Sequence, residues 1–178
     1  MKKQSGLLPI FAVMVVSLIV AAYWDAVPMI KEGVHAAFDP SLGVLLSWNL
    51  NIGMMIIVFV ITLITTLIQK YTTDQKALKE LRDEQKILQE EMKKYQDNPA
   101  KISELSKKQF EFIPRTFKLT SRAVLYTGIP FILLFRWFSD VFIQMGNPKF
   151  IFNMGWFLFY FIFSLVFTSF LKKYLKVL

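Results

Sequence analysis

The chain has 178 residues, 54% hydrophobic and 16% aromatic but only 19% charged, with net charge +8, pI about 9.6 and mean hydropathy +0.44. That excludes a soluble globular domain, which would have to hide four long apolar segments under too little polar surface. The absence of cysteine rules out disulfides, thiolate nucleophiles and Cys-ligated metals, and a single histidine, His35, rules out zinc sites built on several histidines.

The first apolar segment is Leu7–Trp24, preceded by Lys2 and Lys3. Small residues at Ala21 and Ala22 offer a signal-peptide reading. The run is long for that, however, and ends in Tyr23 and Trp24, like an interfacial aromatic belt, so a retained span is expected. Residues 25–42 form an expected external loop. His35 is a solvated or interfacial histidine there, with no second ligand to suggest a metal. A second span follows over Val44–Gln69, with Ser47, Asn49 and Asn51 near its outer end. Thr62, Thr65, Thr66 and Gln69 recur on one face near its inner end.

Residues 70–122 carry 13 Lys/Arg against 9 Asp/Glu. Leu78, Leu81, Gln85, Leu88, Met92 and Tyr95 alternate steps of three and four, a heptad seam with one polar position. Asn98 and Pro99 suit an N-cap and first helical position. Ile102, Leu105, Gln109 and Phe112 then repeat the seam, and Pro114 is expected to end that helix. The two arms predict an antiparallel coiled-coil hairpin, with Gln85 opposite Gln109. Acids interleave with the bases, so no basic face for DNA exists.

The third span is Ala123–Phe142, with Pro130 expected to kink it. Arg136 and Asp140 lie one turn apart and are expected to pair. The fourth is Phe150–Leu171, with Asn153, Tyr160, Ser164 and Thr168 near one face and Gly155 open to close approach. If the N-terminus is cytoplasmic, 18 of the 21 basic residues lie inside and only Lys31 and Lys149 outside. The expected topology is a multi-pass cell-membrane protein with both termini cytoplasmic.

Most intramembrane polarity falls on the cytoplasmic side. Thr62, Thr65, Thr66 and Gln69 come from the second segment, Ser121, Arg122, Tyr126 and Thr127 from the third, and Ser164 and Thr168 from the fourth. Polar groups in hydrocarbon need partners or water. A closed hydrogen-bonded bundle satisfies that need, and so does a hydrophilic groove open to the cytoplasm. Arg136 is a candidate for the groove's outer limit, by its chemistry alone.

The stretch Lys70–Phe138, above all KYTTDQKALKELR, FIPRTFKL and IPFILLFRWF, resembles the archaeal YidC-like membrane insertases of the YidC/Oxa/Alb and ER-membrane-complex superfamily. The resemblance covers roughly residues 42–171. It implies an all-α integral membrane protein with a three-span insertase core, a cytoplasmic hairpin and a groove that receives nascent membrane proteins. The parts are then 1–41 (N-terminal span and external loop), 42–70 (first core span), 71–121 (hairpin) and 122–178 (last two core spans and basic tail). The hairpin is the expected dock for ribosome or signal-recognition machinery. No cofactor, metal or enzymatic reaction is expected. The N-terminal span lies outside the core pattern. The groove arginine of bacterial members sits in the first core span, which is uncharged here. A cation channel or transporter subunit, and a coiled-coil scaffold, are the competing readings.

Overall fold

The computed structural model describes the backbone of residues 7–177 and side chains from residue 10 onward. Among the described residues it consists of helices and connecting turns. These are α1 (Leu7–Ala22), α2 (Pro28–Phe38), α3 (Val44–Trp48), α4 (Leu50–Thr72), α5 (Gln75–Lys94), α6 (Pro99–Gln144) and α7 (Trp156–Leu175). A π-helical turn, Asp39–Gly43, joins α2 to α3, and a 3-10 turn, Ile151–Asn153, precedes α7.

Three helices, α4, α6 and α7, are long and apolar enough to cross a membrane. The described first helix is shorter, 16 residues or ~24 Å at 1.5 Å per residue. It nonetheless belongs to the bundle. It runs beside α6, and a Cβ on Gly128 would meet Val13 Cγ1 at 3.0 Å, so the glycine is what lets the two helices close up.

Two expected boundaries move. The second segment does not run unbroken from Val44. Asn49 adopts extended backbone (φ −155°, ψ 116°) and its Oδ1 accepts the Ile52 amide at 3.0 Å, capping α4 and splitting off α3. The expected loop 25–42 is also mostly helical. Pro28 occupies the first turn of α2, where its missing N–H costs nothing, and Val34 and Phe38, one turn apart, pack on the core.

Pro114 does not end a helix. α6 continues through Pro114 and Pro130 for 46 residues, ~69 Å, and so joins the hairpin to the third span as one rod. Each proline deletes one backbone hydrogen bond and crowds the carbonyl four residues back. Burial on both flanks, of Leu105 and Phe112 before and Leu134, Trp137 and Phe138 after, outweighs that local loss.

α5 and the first part of α6 form a helical hairpin. Asp74 caps α5 by accepting the Ala77 amide at 3.0 Å, and Asn98 caps α6 by accepting that of Lys101 at 3.1 Å. Leu81, Leu88, Leu105 and Phe112 are buried together, with Met92 and Leu119 against them. Of the other seam positions, Leu78 is buried, Gln85 and Ile102 are half-buried, and Gln109 is exposed. Gln109 being exposed, no buried Gln85–Gln109 contact forms. Instead Glu84 and Arg115 bond across the pair at 2.7 and 3.2 Å, and Arg115 lies over the Phe112 ring. The guanidinium holds the Glu84 carboxyl below its ordinary range. Both groups are exposed, so the pair adds little stability. The apolar seam carries the hairpin. Leu105, 1% exposed, cut to alanine should cost about 2–5 kcal/mol in thermal unfolding of the hairpin.

The main core lies at the end of the bundle away from the hairpin. Leu46, Met54, Ile57 and Val58 meet Trp137, Phe138, Phe142, Phe150, Phe159 and Tyr160. Rings interlock there, with Phe142 stacked on Trp156 at 5.7 Å and Phe135 edge-on to Tyr160 at 5.0 Å. In lipid, such contacts supply the attraction that the hydrophobic effect supplies in water.

Candidate functional site

Between α4 and α6, on the hairpin side of that core, lies a cavity of about 440 Å3. One turn after another of α4 contributes Val60, Ile61, Ile64, Thr65 and Ile68. α6 contributes Tyr126, Thr127, Pro130, Phe131 and Leu134, the end of α2 contributes Ala37 and Phe38, and the π-helical turn after it Ser41 and Leu42. Ile64 and Tyr126 are exposed, so the mouth opens on the flank of the bundle.

Three of the nine residues expected to line a groove meet here: Thr65, Tyr126 and Thr127. The wall of this cavity is mostly apolar rather than hydrophilic. Thr65 donates to the Thr62 carbonyl at 3.0 Å, Thr127 to Ala123 at 2.9 Å and Ser41 to Ala37 at 3.1 Å. Each hydroxyl hydrogen is used on its own helix, as is usual for Ser and Thr in spans. What remains toward the cavity is mostly hydrocarbon, with a few acceptor lone pairs and the Tyr126 phenol at the exposed mouth.

The other six lie elsewhere. Thr62 and Thr66 sit on the buried stripe of α4 with Met54 and Val58, donating to Val58 at 2.6 Å and Thr62 at 2.7 Å. Gln69 is at the end of α4, where its carbonyl accepts from Gln75 and Thr73. Ser164, half-exposed on α7, donates to the Phe161 carbonyl at 2.8 Å. Thr168 is half-exposed on the same helix.

Arg136 belongs to a second constellation, at the end of the bundle away from the hairpin. The expected Arg136–Asp140 pair is absent. Arg136 reaches Asp25 at 3.4 Å and lies over the Trp24 ring at 5.7 Å. Asp140 accepts from Trp24 Nε1 at 2.8 Å and from Lys31 Nζ at 3.1 Å, with His35 Nε2 at 3.4 Å. Asp39 accepts from Trp137 Nε1 at 2.7 Å and faces His35 Nδ1 at 3.1 Å. Lys31 also pairs with Asp25 at 2.7 Å, and the two carboxylates raise its pKa. His35 is thus no loose surface residue but the bridge of a network that ties α1, α2 and α6 together. Its two ring nitrogens point opposite ways, so one ion cannot take both. Among the described residues no cluster of metal-ligating side chains is placed to hold a metal.

Sequence reasoning passed over the isoleucines of the cavity, because a hydrocarbon side chain reads alike whether it faces lipid or a hollow. The polar network left a signal. WDAVPMIKEGVHAAFD packs three acids, a lysine, a histidine and a tryptophan into one short run beside the membrane.

Helices, cavity and network define an all-helical, multi-pass integral membrane protein. The family model "Integral membrane protein EMC3/TMCO1-like" matches residues 36–154, about two thirds of the chain. The chain belongs to that family, within the Oxa1/YidC/ER membrane complex insertase-related superfamily. The matched region begins inside α2 and ends just before α7, leaving α1 and α7 outside it. Comparison with curated proteins and with solved structures gives no match.

Proposed function

We propose that the protein eases apolar segments of nascent membrane proteins into the bilayer, acting as an insertase or membrane chaperone. The observation that carries this reading is the side-opening cavity between α4 and α6. Its size falls in the ~300–1,000 Å3 range of ligand clefts. Its apolar wall suits a hydrophobic side-chain cluster and would repel an ion. A segment leaving water needs shelter for its apolar face until its backbone is fully hydrogen-bonded as helix. The cavity offers that shelter on the half of the bundle nearest the hairpin, which the distribution of basic residues assigns to the cytoplasm. The hairpin, long and mixed in charge, is then the contact for ribosome or signal-recognition machinery. No bond is made or broken, so no catalytic residue is needed.

The aromatic core fills the opposite end of the bundle with Trp137, Phe138, Phe142 and Trp156. That packing speaks against a channel, which requires a continuous polar path.

The test uses the whole chain in liposomes with a single-span reporter bearing a short polar tail. A photoreactive residue replacing Ile64, at the cavity mouth, should crosslink the reporter during insertion. The same residue replacing Phe170, exposed on α7, should not. Equal crosslinking at both positions, or insertion no faster than in protein-free liposomes, removes the reading.

A further inference from the structure

The polar network touches the cavity through one element. His35 and Asp39 belong to the same helical segment as Phe38, Ser41 and Leu42, which form one cavity wall. Whatever fixes His35 and Asp39 against α6 therefore fixes that wall.

The geometry around His35 depends on its proton. Nδ1 is 3.1 Å from both carboxylate oxygens of Asp39, and Nε2 is 3.4 Å from Asp140. A neutral imidazole has one N–H, so one nitrogen then turns a lone pair toward a carboxylate. Only the imidazolium donates to both. The charges agree. The groups around His35 are Asp140 and Arg136 on α6, Asp25 after α1, and Lys31 and Asp39 on its own segment, with Glu32 exposed beside them. With Glu32 outside the bonded cluster, three acids face two bases until His35 becomes the third cation. The side chains of His35 and Asp140 are 18% and 13% exposed, shielded enough for a bond to matter and open enough for protons to arrive.

We infer that His35 is a positioning residue, whose protonation latches the α2 segment to Asp140 and sets the cavity wall. This regulation rests on the reading of the cavity as the place where client segments are held. The latch has both donors when the ring carries two protons and loses one when it carries a single proton. Loss of one bond to a charged group shifts the ratio of latched to loose wall by roughly tenfold or more.

The experiment measures spin-label distances in proteoliposomes without any client. The labels replace Glu32 on α2 and Ile143 at the end of α6. Both positions are exposed, and neither belongs to the network or the cavity. The otherwise wild-type chain should give one narrow distance at about pH 5.5 and a second, longer population at about pH 8. His35→Gln should give the same distribution at both pH values, and Asp140→Asn should be loose at both. A doubly labelled wild-type chain that ignores pH overturns the latch. So does either variant that keeps the wild-type pH response. A pH response that persists while Ile64 crosslinks no reporter overturns the cavity reading instead, and the two ideas are tested apart.

Discussion

Gly53→Ala should leave little folded protein, read as a large fall in the apparent Tm of detergent-solubilised chain or as loss of the monodisperse peak. The added Cβ would land on the carbonyl oxygen and carbon of Leu45, with the Leu46 amide 3.1 Å away. These are backbone atoms of α3, and no side chain can swing aside to make room. α3 must separate from the first turn of α4, which drags Leu46 and Met54, 2% and 0% exposed, out of the core they share. Overpacking usually costs ~1–3 kcal/mol, and a clash with fixed backbone belongs at the upper end or beyond it. Gly33→Ala is the control. A Cβ there meets nothing within 4 Å, so the change should be neutral or stabilise α2 by about 0.4–1 kcal/mol. Equal behaviour of the two variants would show that α3 does not pack on Gly53 in the membrane.

The contrast between those glycines marks what the sequence could convey. The three long spans were legible, because a run of apolar residues long enough to cross hydrocarbon has one economical fate. So was the Asn98 cap of the hairpin's second arm, where local rules act within a few residues, and Leu81, Leu88, Leu105 and Phe112 of the seam are buried together. Gly53 was unreadable, since its role depends on α3 turning back at Asn49. The passage of α6 through Pro114 was also hidden. The local rule against proline is sound, and it lost to burial on both flanks that only tertiary packing creates. At the site, Thr65, Tyr126 and Thr127 were found together, but for the wrong reason. Their polarity drew attention, while the two threonine hydroxyl hydrogens are spent on their own helix. Arg136 and Asp140 were expected to pair along one helix. The partners they chose, Asp25, Trp24, Lys31 and His35, come from more than a hundred residues away.

Thr127→Trp should slow insertion of the short-tailed reporter by roughly tenfold, the effect of about 1.4 kcal/mol on the barrier. Thr127 lines the cavity and is half-buried, so the indole would occupy the hollow without entering the packed core at the other end. Apparent Tm should change little, which separates a blocked cavity from a damaged fold. Thr127→Val then decides what kind of wall the client meets. Valine keeps the shape and removes the hydroxyl. That hydroxyl already donates to the Ala123 carbonyl at 2.9 Å, and a helix carbonyl keeps its backbone partner without it. A client held by hydrocarbon contact should not notice, and insertion should stay within about twofold of wild type, under ~0.5 kcal/mol. A hydrophilic groove makes the opposite demand, because water or a polar tail would need the hydroxyl. If Thr127→Val slows insertion as much as Thr127→Trp, the polar reading returns and the apolar cavity loses its role. If only the tryptophan acts, and Thr65→Val is as mild as Thr127→Val, the hollow itself is the working part. The hydroxyls around it then serve only to let threonine sit quietly in a membrane helix.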